Sequence, residues 1–167
     1  RHSFSQPPRS EDGYDKVVDE WGIEWWKPQD GGFYFDMRRH PLAAVDTLEG
    51  LAAYKFPDPL DPARYAGMAA RAEELMNRRQ VAYILGRNAP GIFEIALWTR
   101  GIAAFLADML TDPALAEAIL DRVTEVKMRY WEIILDLVGS DVLVVSEADD
   151  LATQRGPMIS PALYRKM

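Results

Sequence analysis

Val142-Leu143-Val144-Val145-Ser146-Glu147-Ala148-Asp149-Asp150 is the stretch on which the fold turns. Four consecutive apolar residues, three of them β-branched, read as a strand covered on both faces, because a half-exposed strand would alternate apolar with polar. The acidic run behind them reads as the loop at the strand's carboxyl end. A second run of the same kind, Val81-Ala82-Tyr83-Ile84-Leu85, stops at Gly86. Between the two lie helical patterns. Ile92 to Leu110 is mostly apolar and reads as one helix opened by Pro90-Gly91. Asp112-Pro113 supplies the cap and first position of another, in which Leu115, Ile119, Val123, Val126, Tyr130, Ile133, Ile134 and Leu137 recur every three or four residues. Gly139 reads as its left-handed cap. Strand, helix, helix, strand is the order of a right-handed crossover between parallel strands. The fold class is therefore α/β. Gly86-Arg87-Asn88 and Glu147 to Asp150 are expected to open onto a common cavity, at the strand ends where parallel α/β folds bind ligands.

Working outward, residues 1–14 are polar and proline-containing and read as a loose leader, so the domain spans residues 15–167. Trp21-Gly22-Ile23-Glu24-Trp25-Trp26 is strand-like, and Asp30-Gly31-Gly32 gives turn chemistry before Phe33-Tyr34-Phe35-Asp36-Met37, which predicts an N-terminal β-hairpin. Asp46 or Thr47 caps a short helix through Tyr54. The prolines of Phe56-Pro57-Asp58-Pro59-Leu60-Asp61-Pro62 make a stiff connector. Asp61-Pro62 then starts a helix expected to run to about Arg79, with Tyr65, Met68, Ala72 and Met76 on one side. Ser160-Pro161 opens a last helix that has hardly begun at Met167. Because the chain also starts at Arg1 rather than Met, it reads as a fragment of a longer domain.

With 167 residues, 49% of them hydrophobic, the chain can bury a core. A net charge of -7 argues against nucleic acid and anionic membranes as partners. No apolar stretch approaches the roughly 20 residues that span a bilayer, and no signal-like leader opens the chain, so a cytoplasmic location is expected. The absence of cysteine excludes disulfides, thiolate metal ligation and cysteine nucleophiles here, and with His2 and His40 alone no metal site is expected within these residues.

The acidic cluster carries the strongest chemical signal. Glu147, Asp149 and Asp150 at a partly enclosed strand end can raise one another's proton affinity, hold a cation or accept substrate N–H groups. Solvated turn carboxylates, or a cap for the next segment, are the alternative, and the residue pattern leaves both open. Gln154 adds a neutral hydrogen-bonding arm. Arg87 with Asn88 offers a guanidinium clamp for a substrate carboxylate, against a loop salt bridge. Glu94 either serves the site or complements the dipole of the helix after Gly91, and Trp98 either stacks on a flat ligand or belongs to the core. The aromatic hairpin either lids an apolar cofactor or, more cheaply, reflects alternating burial against a neighbouring wall. Phosphate-binding loops, dinucleotide fingerprints, serine elbows and metalloprotease helices are not found.

From Trp21-Gly22-Ile23-Glu24-Trp25-Trp26 onward, the ordered segments resemble the uroporphyrinogen decarboxylase superfamily. They include Pro41-Leu42, Phe56-Pro57-Asp58-Pro59, Val81 to Gly86, Gly91 to Gly101, Asp108-Met109-Leu110-Thr111-Asp112-Pro113, Gly139 through Gln154, and Ile159-Ser160-Pro161-Ala162-Leu163-Tyr164. The resemblance implies an incomplete (β/α)8 TIM barrel with an N-terminal β-hairpin. Asp149-Asp150 followed by Gln154 looks more like the methyltransferase branch. The decarboxylase branch's arginine-rich amino-terminal motif is not seen, and Leu97 and Trp98 stand near the position of its tyrosine. The implied function is a corrinoid- or thiol-linked methyltransferase acting on a small molecule. In that reading Asp149 and Asp150 are catalytic, and Glu147, Gln154, Arg87, Asn88, Glu94 and Trp98 bind substrate. Uroporphyrinogen decarboxylation, with Asp149 holding pyrrole N–H groups, is the alternative, and a noncatalytic binding homologue is a third. No cofactor is expected within the segment. A corrinoid protein as partner, zinc held by histidine and cysteine outside the segment, and a homodimer complete what the resemblance implies.

Overall fold

A computed structural model describes residues 7–77, 84–85, 90–139 and 142–167. Its N-terminal part is an antiparallel meander of β1 (Arg9–Glu11), β2 (Tyr14–Val18), β3 (Glu24–Pro28) and β4 (Asp36–Arg39), hydrogen-bonded in that order. Asp12 and Gly13 both have positive φ, 52° and 78°, the geometry of a tight hairpin turn whose twist matches its strands. Part of the expected loose leader is therefore a strand: Arg9 pairs with Lys16 and Glu11 with Tyr14. The expected aromatic hairpin is present, with Trp25 opposite Met37 and Trp26 opposite Asp36. Burial explains only part of its aromatic content. Trp21 and Trp25 are buried, whereas Phe33 and Tyr34, on the loop between β3 and β4, are 88% and 81% exposed.

The turn into β3 is held by one carboxylate. Asp19 Oδ1 accepts from the Trp21 and Ile23 backbone N–H groups at 2.9 and 3.0 Å, and Oδ2 accepts from Trp25 Nε1 at 2.8 Å. Burial raises the pKa of this aspartate, against the lowering pull of those three donors. Beside it the Tyr54 hydroxyl donates to the Trp21 carbonyl.

Thr47 caps α1 (Leu48–Ala53) through the Gly50 N–H, as expected. The helix predicted from Pro62 to Arg79 is, as far as Asn77, a 3-10 turn, Pro62–Tyr65, followed by α2 (Met68–Met76), because Gly67 takes φ 73° between them, and its expected end at Arg79 lies outside the described residues. The helix predicted from Ile92 to Leu110 is likewise two: α3 (Ile92–Arg100) and α4 (Ile102–Thr111), broken at Gly101 with φ 95°. A Cβ on Gly101 would stand 3.2 Å from the His40 ring, whose Nδ1 lies 2.6 Å from the Trp98 carbonyl oxygen. Asp112 caps α5 (Pro113–Val138). Gly139 beyond it has φ -63°, so it is not the expected left-handed cap. None of these helices is long and apolar enough to cross a membrane.

The strands of the crossover are β5 (Ile84–Leu85) and β6 (Val144–Val145), and they are parallel, with Ile84 opposite Val144 and Leu85 opposite Val145. The Ser146 N–H continues the ladder onto the Leu85 carbonyl. Val81 to Tyr83, expected in the first strand, lie outside the described residues. The second strand is not covered on both faces as expected: Leu143, Val144 and Val145 are 74%, 49% and 46% exposed. Among the described residues it has one strand neighbour. A small hairpin, β7 (Ala152–Thr153) with β8 (Gly156–Pro157), precedes α6 (Pro161–Lys166), capped by Ser160.

Helix α3 sits between two apolar cores. Phe93, Ala96 and Leu97 pack among Leu42, Phe105 and Ile119. Ile95 faces the meander with Val17, Trp21, Ile23, Trp25 and Val123. A helix buried on nearly all sides must satisfy its polar groups internally. The Thr99 hydroxyl donates to the Ile95 carbonyl at 2.7 Å, and Arg100 donates to the Leu42 and Ala43 carbonyls at 2.8 and 3.1 Å while pairing with Asp108 at 2.7 Å.

Candidate functional site

The carboxyl end of the parallel pair meets the first turn of α3. The loop leaving β6 runs Ser146 to Asp150 and folds over Gly91, where Asp149 Oδ2 accepts from the Phe93 N–H at 3.1 Å and Oδ1 from the Glu94 N–H at 2.8 Å. The first turn of a helix has N–H groups without intrahelical acceptors, and the positive end of its dipole favours an anion. Asp149 fills that place from a position more than fifty residues away in sequence. The glycine is required by this contact, since a Cβ on Gly91 would stand 2.0 Å from Asp149 Cγ. The Glu94 carboxylate turns back toward the Gly91 N–H at 3.4 Å, and the residue is buried.

Helix α5 supplies the other wall. Lys127 is 5% exposed, donates from Nζ to the Pro90 carbonyl at 2.9 Å and pairs with Glu147 Oε1 at 3.1 Å. One turn further on, Trp131 Nε1 donates to the same oxygen at 2.6 Å. Residues four apart on a helix share a face, so Lys127 and Trp131 hold Glu147 together. Between α5 and the loop lies a groove of about 560 Å³, whose walls include Ile92, Met128, Trp131 and Leu135 together with Lys127, Glu147 and Asp149.

Of the residues singled out in the sequence, Glu147, Asp149 and Glu94 come together here. Asp149 is engaged as a cap, but of the preceding helix α3 and not of the segment that follows it, which is the cap the residue pattern had allowed. Asp150 is exposed next to it, and Gln154 is exposed on the turn of the β7–β8 hairpin. Trp98 does not join the groove: it is half-buried and meets Trp25 edge-on, with ring centroids 5.4 Å apart. Arg87 and Asn88 lie outside the described residues. Lys127 and Trp131 were missed. The available signal was a lysine on the apolar stripe between Val123 and Ile134, which a solvated face would not require. Among the described residues no group of three His, Cys, Asp or Glu is arranged to hold a metal ion.

Fold and site together define a mixed α/β chain in which parallel strands deliver an acidic loop to the amino end of a buried helix. The same fold is found in a methyltransferase from Methanosarcina mazei, with a TM-score of 0.56 and 19% sequence identity over 89% of this chain. The chain spans 41% of that protein's length. No protein-family model matches the sequence, and no curated protein does.

Proposed function

We propose that the chain is part of a (β/α)8-barrel enzyme that transfers a methyl group between a corrinoid-bound donor and a thiol. The carrying observation is the fold it shares with a methyltransferase over most of its own length. The exposed edge and outer face of β6 support a barrel reading, because parallel strands are stable when neighbours and helices enclose them. In this reading the groove beside α5 receives the small-molecule substrate, Glu147 is a polar group oriented by Lys127 and Trp131, and Asp150 and Gln154 are substrate-binding arms. Asp149 positions the loop rather than moving a proton.

A zinc ion that activates the thiol would need three or four nitrogen, sulfur or oxygen donors. The chain has no cysteine, and His40 is turned to the Trp98 carbonyl. The residues described here do not fit that metal, and its donors would have to come from elsewhere. No observation favours decarboxylation, which would ask Asp149 to hold pyrrole N–H groups while both its oxygens bind the helix.

The test is an assay of the intact protein with methylcobalamin and a small thiol, following formation of the methyl thioether. Turnover is expected, with the KM for the thiol raised in Asp150→Asn and Gln154→Leu variants that remain folded. Absence of methyl transfer under conditions where the corrinoid binds would overturn the reading.

A further inference from the structure

The meander, the 3-10 turn and α5 converge on a narrow cleft whose walls include Glu20, Trp21, Pro57, Arg64, Lys127 and Tyr130. Two N–H donors in these walls, Trp21 Nε1 and Arg64 Nε, are buried with no acceptor among the described residues. Trp21 is 5% exposed, so its indole cannot turn to bulk solvent. Arg64 is equally fixed: Nη2 pairs with Glu20, and the guanidinium lies over the Tyr130 ring at 5.4 Å from its centroid. Buried donors of this kind are nearly always satisfied, by protein or by an ordered water. The space open to the centre of a water-sized sphere is about 10 Å³, which is close to what one water requires.

We propose that this cleft is a binding site for a single structural water, which accepts from Trp21 Nε1 and Arg64 Nε and ties the N-terminal meander to the helical layer. Two buried N–H donors in the walls of one cleft call for a lone-pair acceptor and exclude a cation. Glu20 and Tyr130, both engaged with the Arg64 guanidinium, belong to the same walls and carry further lone pairs for the water's own O–H groups. A halide would meet the two donors as well, but the Arg64 guanidinium is already paired with Glu20 and the space is that of one water, so the neutral ligand is the one proposed.

A crystal structure of the intact protein grown in bromide, at a resolution that orders waters, tests this directly. One oxygen peak within hydrogen-bond distance of both nitrogens, with no anomalous bromide signal, is the expected result. In solution the Trp21 indole proton, assigned by its loss in Trp21→Phe, should show cross-relaxation with water. A bromide peak in the cleft, no ordered oxygen there, or either nitrogen bonded to a protein acceptor would overturn the proposal. The crystallographic measurement needs no variant, so it stands even if Trp21→Phe fails to fold.

Discussion

Asp149 joins two segments far apart in the chain through a pair of backbone hydrogen bonds, and its removal has a definable cost. Asp149→Ala leaves the Phe93 and Glu94 N–H groups without their acceptor, and loss of a capping side chain typically costs about 0.5–2 kcal/mol. Urea denaturation should show a drop of that size with an unchanged m-value. Gly91→Ala forces a methyl group into the same carboxylate and should cost about 1–3 kcal/mol, the range for overpacking a filled site. The Gly91 methyl would also stand 2.5 Å from the Ala148 carbonyl oxygen, so the double variant removes only the share of the clash that Asp149 makes and should fall short of the sum by that share, which a double-mutant cycle measures. Lys127→Met removes a buried cation from Pro90 and Glu147, and is expected to lower stability by about 1.5–3 kcal/mol, as for other hydrogen bonds to charged groups.

At the scale of elements, two glycines break what the apolar pattern reads as continuous helices. Gly67→Ala meets open space but must adopt φ 73°, whereas Gly101→Ala meets both φ 95° and the His40 ring at 3.2 Å. The first should cost about 1–2 kcal/mol, the price of a left-handed L-residue, and the second more, measured by thermal or urea unfolding. These breaks show where the sequence was legible and where it was not. Thr47, Asp61, Asp112 and Ser160 announced helix starts because capping is a local interaction between neighbouring residues. The parallel pairing of β5 and β6 followed from the chirality of crossovers, a general constraint on chains. Gly101 was unreadable as a break because the ring packed against it, His40, is more than fifty residues away in sequence. Asp149 was visible as important but not in its role, since the helix it caps precedes it by more than fifty residues. The exposure of β6 depends on which elements surround it, which four apolar residues cannot specify.

For the molecule as a whole, the response to acid carries a signature of Asp19. Burial raises its pKa above the ordinary 3.8, so the folded chain binds a proton there more readily than the unfolded one. Its contribution to stability is fully present below pH 3.8 and is lost as pH rises through the raised folded value. Asp19→Asn should remove that negative slope from the stability-against-pH curve, read by denaturant unfolding at successive pH values. Asparagine has one side-chain oxygen for the three donors that Asp19 satisfies, so the variant should also be less stable at every pH. The position of α3 extends such coupling to the candidate site. Phe93 belongs to one apolar core and Ile95 to the other, while the amides of Phe93 and Glu94 are clasped by a carboxylate from the acidic loop. A ligand that drew on Asp150 would therefore load a helix wedged between two cores, and α5, which reaches the same two cores through Ile119 and Val123, is the brace it would work against.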